Sequence, residues 1–139
     1  MILADSGFWI ALANRRDRHH TAARDALEHW SGEGFISTWP VLTEVTHILA
    51  MRIGVGQAVA FVDSVAHGAC EVPDPPSDAL LRAHTLMSRY RDLPMDLADA
   101  SLVILAEDLG EGRILSTDQR DFAGYRWKNT RPFNNVLLY

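Results

Sequence analysis

The sequence is poor in cysteine, in lysine and in long apolar runs, and each scarcity excludes a class of protein. Its single cysteine, Cys70, rules out an internal disulfide and fits a reducing cytoplasm. No apolar run approaches the ~20 residues of a membrane-spanning helix. No basic segment precedes the apolar residues at the N-terminus, as it would in a secretion signal. We therefore expect a soluble cytoplasmic protein with no membrane association.

The amount and distribution of apolar residues favour one globular unit. The chain has 139 residues, a mass of 15.5 kDa and 47% hydrophobic residues, which is enough for one packed core. We expect a single domain over residues 1–139. The formal net charge of −5 argues against a protein that coats nucleic acid nonspecifically.

Short apolar segments alternate with amphipathic segments along the chain, a pattern typical of α/β proteins. Strands are predicted at residues 1–4, 35–37, 70–72, 114–116 and 136–138, the third of them weak. Helices are predicted at 8–14, 22–30, 38–49, 58–66, 77–90 and 97–109, with Thr38 and Ser77 as N-caps. Strands that are apolar on both faces are typical of parallel sheets covered by helices. The sequence thus predicts a three-layer α/β/α fold with a central, mostly parallel sheet of four to five strands.

Acidic residues stand at the ends of apolar segments or inside them, where an unpaired carboxylate is costly to bury. Asp5 follows the first predicted strand and Asp118 follows the fourth. Ligands of open parallel sheets bind at the carboxyl ends of the strands, so both side chains are expected at one rim if these strands are neighbours. Glu44 lies on a helix whose apolar stripe faces inward, and Asp99 occupies the first turn of the most buried helix. Because hard cations such as Mg²⁺ bind carboxylates, we interpret the four acids as one metal-binding cluster for phosphodiester chemistry.

Each of these acids also has a structural explanation. Asp5 and Asp118 are of a residue type that caps helices or forms turns, and Glu44 fits a solvated helix position. Asp96 and Asp99 stand three positions apart, as an N-cap and its N3 partner do, so Asp96 is either a cap or a further metal ligand. Their joint occurrence at one rim is what favours the metal interpretation.

Four segments stand in order along nearly the whole chain. They are the opening strand that ends in Asp5-Ser6, the helical Thr43-Glu44-Val45, residues 95–103 (MDLADASLV) and residues 115–122 (LSTDQRDF). Together they resemble the PIN-domain nucleases and, more narrowly, the VapC-type toxins of bacterial toxin–antitoxin pairs.

This resemblance implies a Mg²⁺- or Mn²⁺-dependent ribonuclease, with a cognate antitoxin as its partner and a homodimer as its assembly. It assigns the catalytic and metal-binding roles to Asp5, Glu44, Asp99 and Asp118, with Asp96 as a fifth candidate ligand and Ser6 and Thr117 as supporting hydroxyls. The family often has arginine where this chain has Gln119, a difference that concerns one phosphate contact.

Arginines near these segments are candidates for binding RNA phosphates, because the planar guanidinium group forms bidentate bonds to them. The candidates are Arg15, Arg16 and Arg120. Two alternatives stay open. A catalytically degenerate PIN-like module would bind RNA or protein and would have an incomplete acidic set. An acid-rich phosphatase-type phosphoryl-transfer domain would need a lysine near its nucleophilic aspartate, and the only lysine, Lys128, is in the tail.

Overall fold

The computed structural model describes residues 1–137, and a short parallel sheet lies at its centre. The strands are β1 (Ile2–Ala4), β2 (Phe35–Ile36), β3 (Arg113–Leu115), β4 (Arg126–Trp127), β5 (Arg131–Pro132) and β6 (Asn134–Asn135). The parallel sheet has the order β2-β1-β3-β6, whereas β4 and β5 form a separate antiparallel pair. Leu3 pairs with Ile36 on one side and with Ile114 on the other. The strands that precede Asp5 and Asp118 are therefore neighbours.

Helices connect the strands and flank the sheet. They are α1 (Ser6–Ala13), α2 (His20–Trp30), α3 (Trp39–Arg52), α4 (Val55–Ala66), α5 (Ala79–Arg89), α6 (Leu97–Leu109) and α7 (Gln119–Gly124). The predicted three-layer α/β/α fold with a mostly parallel sheet is confirmed. Within residues 1–137, no helix is both long enough and apolar enough to cross a membrane.

The core lies around the central strands and α6. Both β1 and the apolar part of β3 are completely buried, as their lack of polar alternation indicates. Seven residues of α6 are buried, and this helix packs against α3, α5 and β4. It begins at the N-cap Asp96 and ends at Gly110, whose φ of 67° is left-handed and favours glycine. The prediction of a central, well-buried helix at 97–109 is confirmed.

Several predicted boundaries are wrong. The segment 70–72 forms only one bridge, between Glu71 and Ile36, because the prolines that follow have no N–H to continue a ladder. The last strand lies at Asn134–Asn135 rather than at 136–138, since the Asn135 side chain bonds both the N–H and the C=O of Ser116. Residue 138 lies outside the described residues. The N-cap position of α5 is Asp78, not Ser77, and it makes no side-chain capping bond.

Candidate active site

A cavity of about 320 Å³ opens at the carboxyl ends of β1 and β3. It is lined by Asp5, Ser6, Gly7, Ile10, Asp17, Glu44, Ile48, Arg52, Pro94, Asp96, Asp99, Thr117, Asp118 and Asp121. We call it the acidic cavity. Every acid that the sequence singled out lines it, as do the two predicted supporting residues with hydroxyl groups. Their roles in metal binding and catalysis stay predictions.

Asp5 is the most buried of these acids, with 5% of its surface exposed. Its Oδ1 accepts a hydrogen bond of 2.7 Å from the Ser6 backbone N–H at the start of α1. Its Oδ2 accepts a bond of 2.9 Å from the Ser116 hydroxyl. The capping role and the cavity-lining position are therefore not exclusive, because one carboxylate has two oxygens.

Ser116 is a site residue that the sequence interpretation missed. It is completely buried directly after β3, and its Oγ both donates to Asp5 and accepts from the Asp118 backbone N–H at 2.9 Å. The predicted supporting hydroxyls are those of Ser6 and of Thr117, the neighbour of Ser116. Thr117 also lines the cavity and packs closely on α1, since a Cβ at Gly7 would collide with its Oγ1. The available signal was a serine directly after an apolar strand and two residues before an aspartate.

Glu44 reaches the same cavity from α3, which packs against α1. The Ser6 hydroxyl donates a bond of 2.8 Å to Glu44 Oε1. Glu44 is half-buried rather than fully solvated. Ser6 thus joins the acid of α3 to the turn that holds Asp5.

Asp96 and Asp99 face the cavity from the N-terminus of α6. The Asp99 backbone N–H donates to Asp96 Oδ1 at 2.8 Å, so Asp96 is a helix cap. The Tyr125 hydroxyl lies 3.1 Å from Asp99 Oδ2. No local pattern predicts this contact, because Tyr125 is 26 positions away along the chain.

Asp118 and Asp121 lie at the start of α7, a helix that the sequence interpretation did not predict. Asp118 is its N-cap, and its Oδ1 accepts a bond of 3.1 Å from the Asp121 N–H. Asp121 also lines the acidic cavity, which adds an acid that was not predicted. The two aspartates stand three positions apart, which is the capping pattern that could have revealed the helix.

Burial and nearby charges raise the pKa of two cavity acids, Asp5 and Asp99. Burial, with the nearby charges of Glu44 and Asp118, raises the pKa of Asp5 to about 6 despite its hydrogen bonds. Burial and the charges of Asp96 and Asp5 raise the pKa of Asp99 to about 8. These carboxylates are therefore close enough to repel one another when ionised.

Two further groups respond to the same crowding. A hydrogen bond shared with Asp118 raises the pKa of Asp121 to about 6. Burial and the charges of Asp99 and Asp121 raise the pKa of Tyr125 above its ordinary value. The tyrosine therefore keeps its proton at neutral pH and is able to donate it in a hydrogen bond.

Arg52 is the basic residue on the wall of the acidic cavity. It is the last residue of α3 and was not predicted as a site residue. Arg15, Arg16 and Arg120, which were predicted to bind RNA phosphates, are exposed and do not line the cavity. Their contribution to RNA binding stays a prediction.

The donor chemistry of the acidic cavity fits a hard divalent cation. Its side-chain donors are carboxylate and hydroxyl oxygens, and neither histidine nor cysteine lines it. Within residues 1–137, no three acidic, histidine or cysteine side chains already form a closed ligand set.

The comparisons with known proteins agree with this fold. The PIN domain family model matches residues 2–128, so the chain belongs to the PIN-domain family. Ribonuclease VapC26 of Mycobacterium tuberculosis is 25% identical over 125 residues, which cover 90% of this chain and 92% of the relative.

Two solved structures share the fold. The crystal structure of M. tuberculosis VapC20, a toxin that cleaves the sarcin-ricin loop, matches with a TM-score of 0.80 and 23% identity, covering 95% of this chain and 100% of that one. VapBC2 from Rickettsia felis, bound to a DNA fragment from its promoter, matches with a TM-score of 0.65 and 13% identity over 88% of this chain and 91% of that one. The resemblance to PIN-domain nucleases of the VapC type is confirmed.

Proposed function

We propose that this PIN-domain protein is a metal-dependent endoribonuclease that hydrolyses RNA phosphodiester bonds as the toxin of a toxin–antitoxin pair. The observation that carries the proposal is the acidic cavity, where Asp5, Glu44, Asp99 and Asp118 meet from four separate segments. The ribonuclease and toxin names of the similar proteins support the substrate and the biological role.

Mg²⁺ or Mn²⁺ would be held by the carboxylates of the acidic cavity. The candidate ligands are Asp5, Glu44, Asp99 and Asp118, with Asp96 as a fifth and Asp121 close by. A bound divalent cation supplies a water of lowered pKa and positive charge at the scissile phosphate. The protein's own contribution is to fix the carboxylates before substrate arrives.

Hydroxyl groups provide that fixation. Ser116 holds Asp5 Oδ2, and Ser6 holds Glu44 Oε1. Ser116 directly follows β3 and Ser6 begins α1, so both serines are held by regular secondary structure. The two carboxylates therefore lose little conformational freedom when a cation and substrate bind. Ser6 was predicted in a supporting role, and the contacts support that assignment.

RNA would enter along the side of the cavity formed by α3. Glu44, Ile48 and Arg52 follow one another at four-residue spacing and line the same wall. Eight residues of helix rise about 12 Å, so Arg52 would meet the phosphate backbone beyond the scissile bond. Arg15, Arg16 and Arg120 are further candidates for phosphate contacts outside the cavity.

A cognate antitoxin, a homodimer and a cytoplasmic location complete the proposal. The VapBC2 structure, which matches this fold, is consistent with an antitoxin partner. Exposed apolar side chains on α3 and α4, among them Trp39 and Val62 at 59% and 54%, offer surface for protein contacts. Light scattering of the purified chain, alone and with its antitoxin, measures both assemblies.

The central test compares RNA cleavage by the wild type and Asp5→Asn in Mg²⁺. This change keeps the shape of the side chain but removes its charge. We therefore expect cleavage to fall by more than about 100-fold, beyond the loss typical of residues that only hydrogen-bond to a metal ligand. Asp63→Asn is the matched control, because Asp63 is an exposed acid of α4 with 72% of its side chain accessible. Cleavage by Asp5→Asn at the wild-type rate would contradict the proposal.

RNA binding and phosphate release, measured on the same proteins, separate the alternatives. A degenerate module would bind RNA without cutting it in either protein. A phosphatase-type domain would release phosphate from a small phosphomonoester and leave RNA intact. The only lysine, Lys128, does not line the acidic cavity, which is a specific observation against that second alternative.

A further inference from the structure

Tyr125 approaches the acidic cavity from behind its wall. The residue is completely buried directly after α7 and does not itself line the cavity. Its hydroxyl lies 3.1 Å from Asp99 Oδ2 and 3.0 Å from the carbonyl oxygen of Pro94. The hydroxyl shares its one proton between these two oxygens. Pro94 precedes α6 and Asp99 lies in its first turn, so the hydroxyl joins the end of α7 to the start of α6.

The ring of Tyr125 is fixed by its neighbours. Phe122 and Tyr90 pack edge-on against it, with ring centroids 5.3 Å and 5.1 Å away. The Tyr90 hydroxyl in turn accepts a bond of 2.9 Å from the Arg126 backbone N–H. Because the ring is enclosed by other aromatic side chains, its hydroxyl is held at one position relative to Asp99.

This contact uses one of the two oxygens of Asp99. The Asp99 backbone N–H is already bonded to Asp96, so the main chain is fixed at the helix start and the side chain is fixed at Oδ2. An aspartate held in this way has one oxygen left for a cation and little rotational freedom to lose on binding it.

We propose that Tyr125 is a positioning residue that orients the Asp99 carboxylate for the divalent cation. The inference rests on the proposed function, because it requires a cation in the acidic cavity. The proposal also gives the segment after β3 a role in addition to supplying acids. One short stretch contributes Asp118 and Asp121 to the cavity and, with Tyr125, sets the geometry of an acid on a different helix.

The test is Mn²⁺ binding to Tyr125→Phe, measured by electron paramagnetic resonance of free Mn²⁺ in the absence of RNA. The change removes the hydroxyl and keeps the ring. We therefore expect the dissociation constant for Mn²⁺ to rise by about 10-fold or more, as for other residues that hydrogen-bond to metal ligands. Tyr90→Phe is the matched control. It removes a hydroxyl from the same aromatic cluster, but that hydroxyl contacts a backbone N–H and not an acid.

The outcomes separate the positioning role from a structural one. Weaker Mn²⁺ binding by Tyr125→Phe with wild-type binding by Tyr90→Phe supports the proposal. Equal binding by Tyr125→Phe and the wild type overturns it, and so does an equal loss in both variants, which would indicate general loosening of the cluster. If Tyr125→Phe is poorly folded in buffer, the titration is repeated in trimethylamine N-oxide, which favours the folded state, and the same comparison decides.

A double substitution adds a second check. In an Asp99→Asn background, Tyr125→Phe is expected to weaken Mn²⁺ binding no further, because the group it orients has lost its charge. A further loss of similar size would overturn the assignment to Asp99. Absence of Mn²⁺ binding by the wild type would instead overturn the metal site itself, and with it both proposals.

Discussion

The acids at the two ends of α6 have opposite surroundings. At its N-terminus, Asp96 and Asp99 line the acidic cavity, and no ion pair within the described residues joins either to a basic side chain. At its C-terminus, Glu107 and Asp108 are bridged by Arg82, at 3.2 Å and 3.0 Å. One helix therefore carries unpaired acids at one end and paired acids at the other.

The same contrast holds along the strands. Asp5 follows β1 and forms no ion pair with a basic side chain among residues 1–137, whereas Arg113 at the start of β3 pairs with both Glu33 and Glu111 at 2.7 Å. Burial alone would raise the pKa of Glu111, but its hydrogen bonds and charge attraction to Arg113 outweigh burial and lower it. In the acidic cavity the corresponding pKa shifts are upward.

This difference shows that arginines are available in this fold to pair with acids, but over the described part of the chain they do not pair with the acids of the cavity. Arginine pairs with the acids at the C-terminus of α6 and at the start of β3, whereas in the cavity at the carboxyl ends of β1 and β3 burial and the charges of neighbouring acids raise the pKa of Asp5 and Asp99. Such an arrangement lowers the stability of the metal-free protein, a cost typical of functional sites. The comparison predicts that the two sets of acids respond in opposite ways to a divalent cation, to mutation and to pH.

Removal of divalent cations is expected to have the largest effect on the acids of the acidic cavity, which we call the unpaired set. The acids bound to Arg82 and Arg113 form the paired set. We expect EDTA to abolish RNA cleavage and Mg²⁺ or Mn²⁺ to restore it. The same cations should raise the thermal unfolding temperature, since a ligand at 100 times its dissociation constant stabilises the folded state by about 2.7 kcal/mol. Cleavage that persists in EDTA would contradict a metal-binding role for the unpaired acids.

Ser116→Ala tests whether the unpaired acids need their hydroxyl support. The change leaves Asp5 Oδ2 and the Asp118 N–H without their partner, so we expect cleavage to fall by about 10- to 100-fold. Ser37→Ala is the matched control. Ser37 is equally buried directly after β2, but its hydroxyl donates to the Ala4 carbonyl at 2.8 Å and not to an acid. Equal losses of activity in both variants would mean that Ser116 only supports the fold.

Asp99→Asn and Glu111→Gln are expected to shift stability in opposite directions. In EDTA at pH 7, Asp99→Asn should raise the unfolding temperature, because the folded state disfavours the charged Asp99 carboxylate, whose pKa is raised to about 8. Glu111→Gln should lower it, because the fold favours charged Glu111. Each kcal/mol corresponds to a shift of about 3–6 °C for a domain of this size. Differential scanning fluorimetry measures both, and shifts of the same sign would contradict the comparison.

The stability of the metal-free protein should fall as pH rises, because burial raises the pKa of Asp5 and Asp99 in the folded state. An acid whose pKa is raised in the folded state contributes stability when protonated and loses it as pH rises through the folded pKa. The metal-free wild type should therefore lose stability between about pH 4 and the raised pKa values of about 6 for Asp5 and about 8 for Asp99. In Asp99→Asn this decline should be shallower at its upper end. Unfolding temperatures measured in EDTA across this range test the sign, and a rise in stability with pH would contradict it.

The sequence was informative where a pattern is local or where a family motif exists. The alternation of apolar strands with helices predicted the sheet, and the buried segment at 97–109 predicted the central helix. The positions of Asp5 and Asp118 directly after apolar strands predicted a shared rim if those strands are neighbours. The structure pairs β1 with β3, and both side chains line the acidic cavity. Each of these inferences depends only on periodicity and on the geometry of parallel sheets.

The parts that the sequence did not reveal depend on contacts between distant segments. Ser116 and Tyr125 reach acids 111 and 26 positions away, and no local pattern distinguishes them from other buried polar or aromatic residues. The hairpin of β4 and β5 was missed because its strands are two residues long and carry no apolar alternation. The last strand was misplaced because Asn134 and Asn135 look like a turn, whereas the Asn135 side chain anchors it to Ser116.

Arg113→Ala is the smallest expected effect and tests the paired set alone. It removes the cation shared by Glu33 and Glu111, whose side chains are 43% and 20% exposed, so solvent screens much of the lost attraction. We expect a loss of about 1 kcal/mol or less, seen as a small fall in unfolding temperature, with RNA cleavage and Mg²⁺ dependence unchanged. The fall should shrink at high salt, because screening already weakens these bridges in the wild type. A change in Mg²⁺ dependence would show that the two ends of the sheet are coupled, and the paired acids would then belong to the functional site as well.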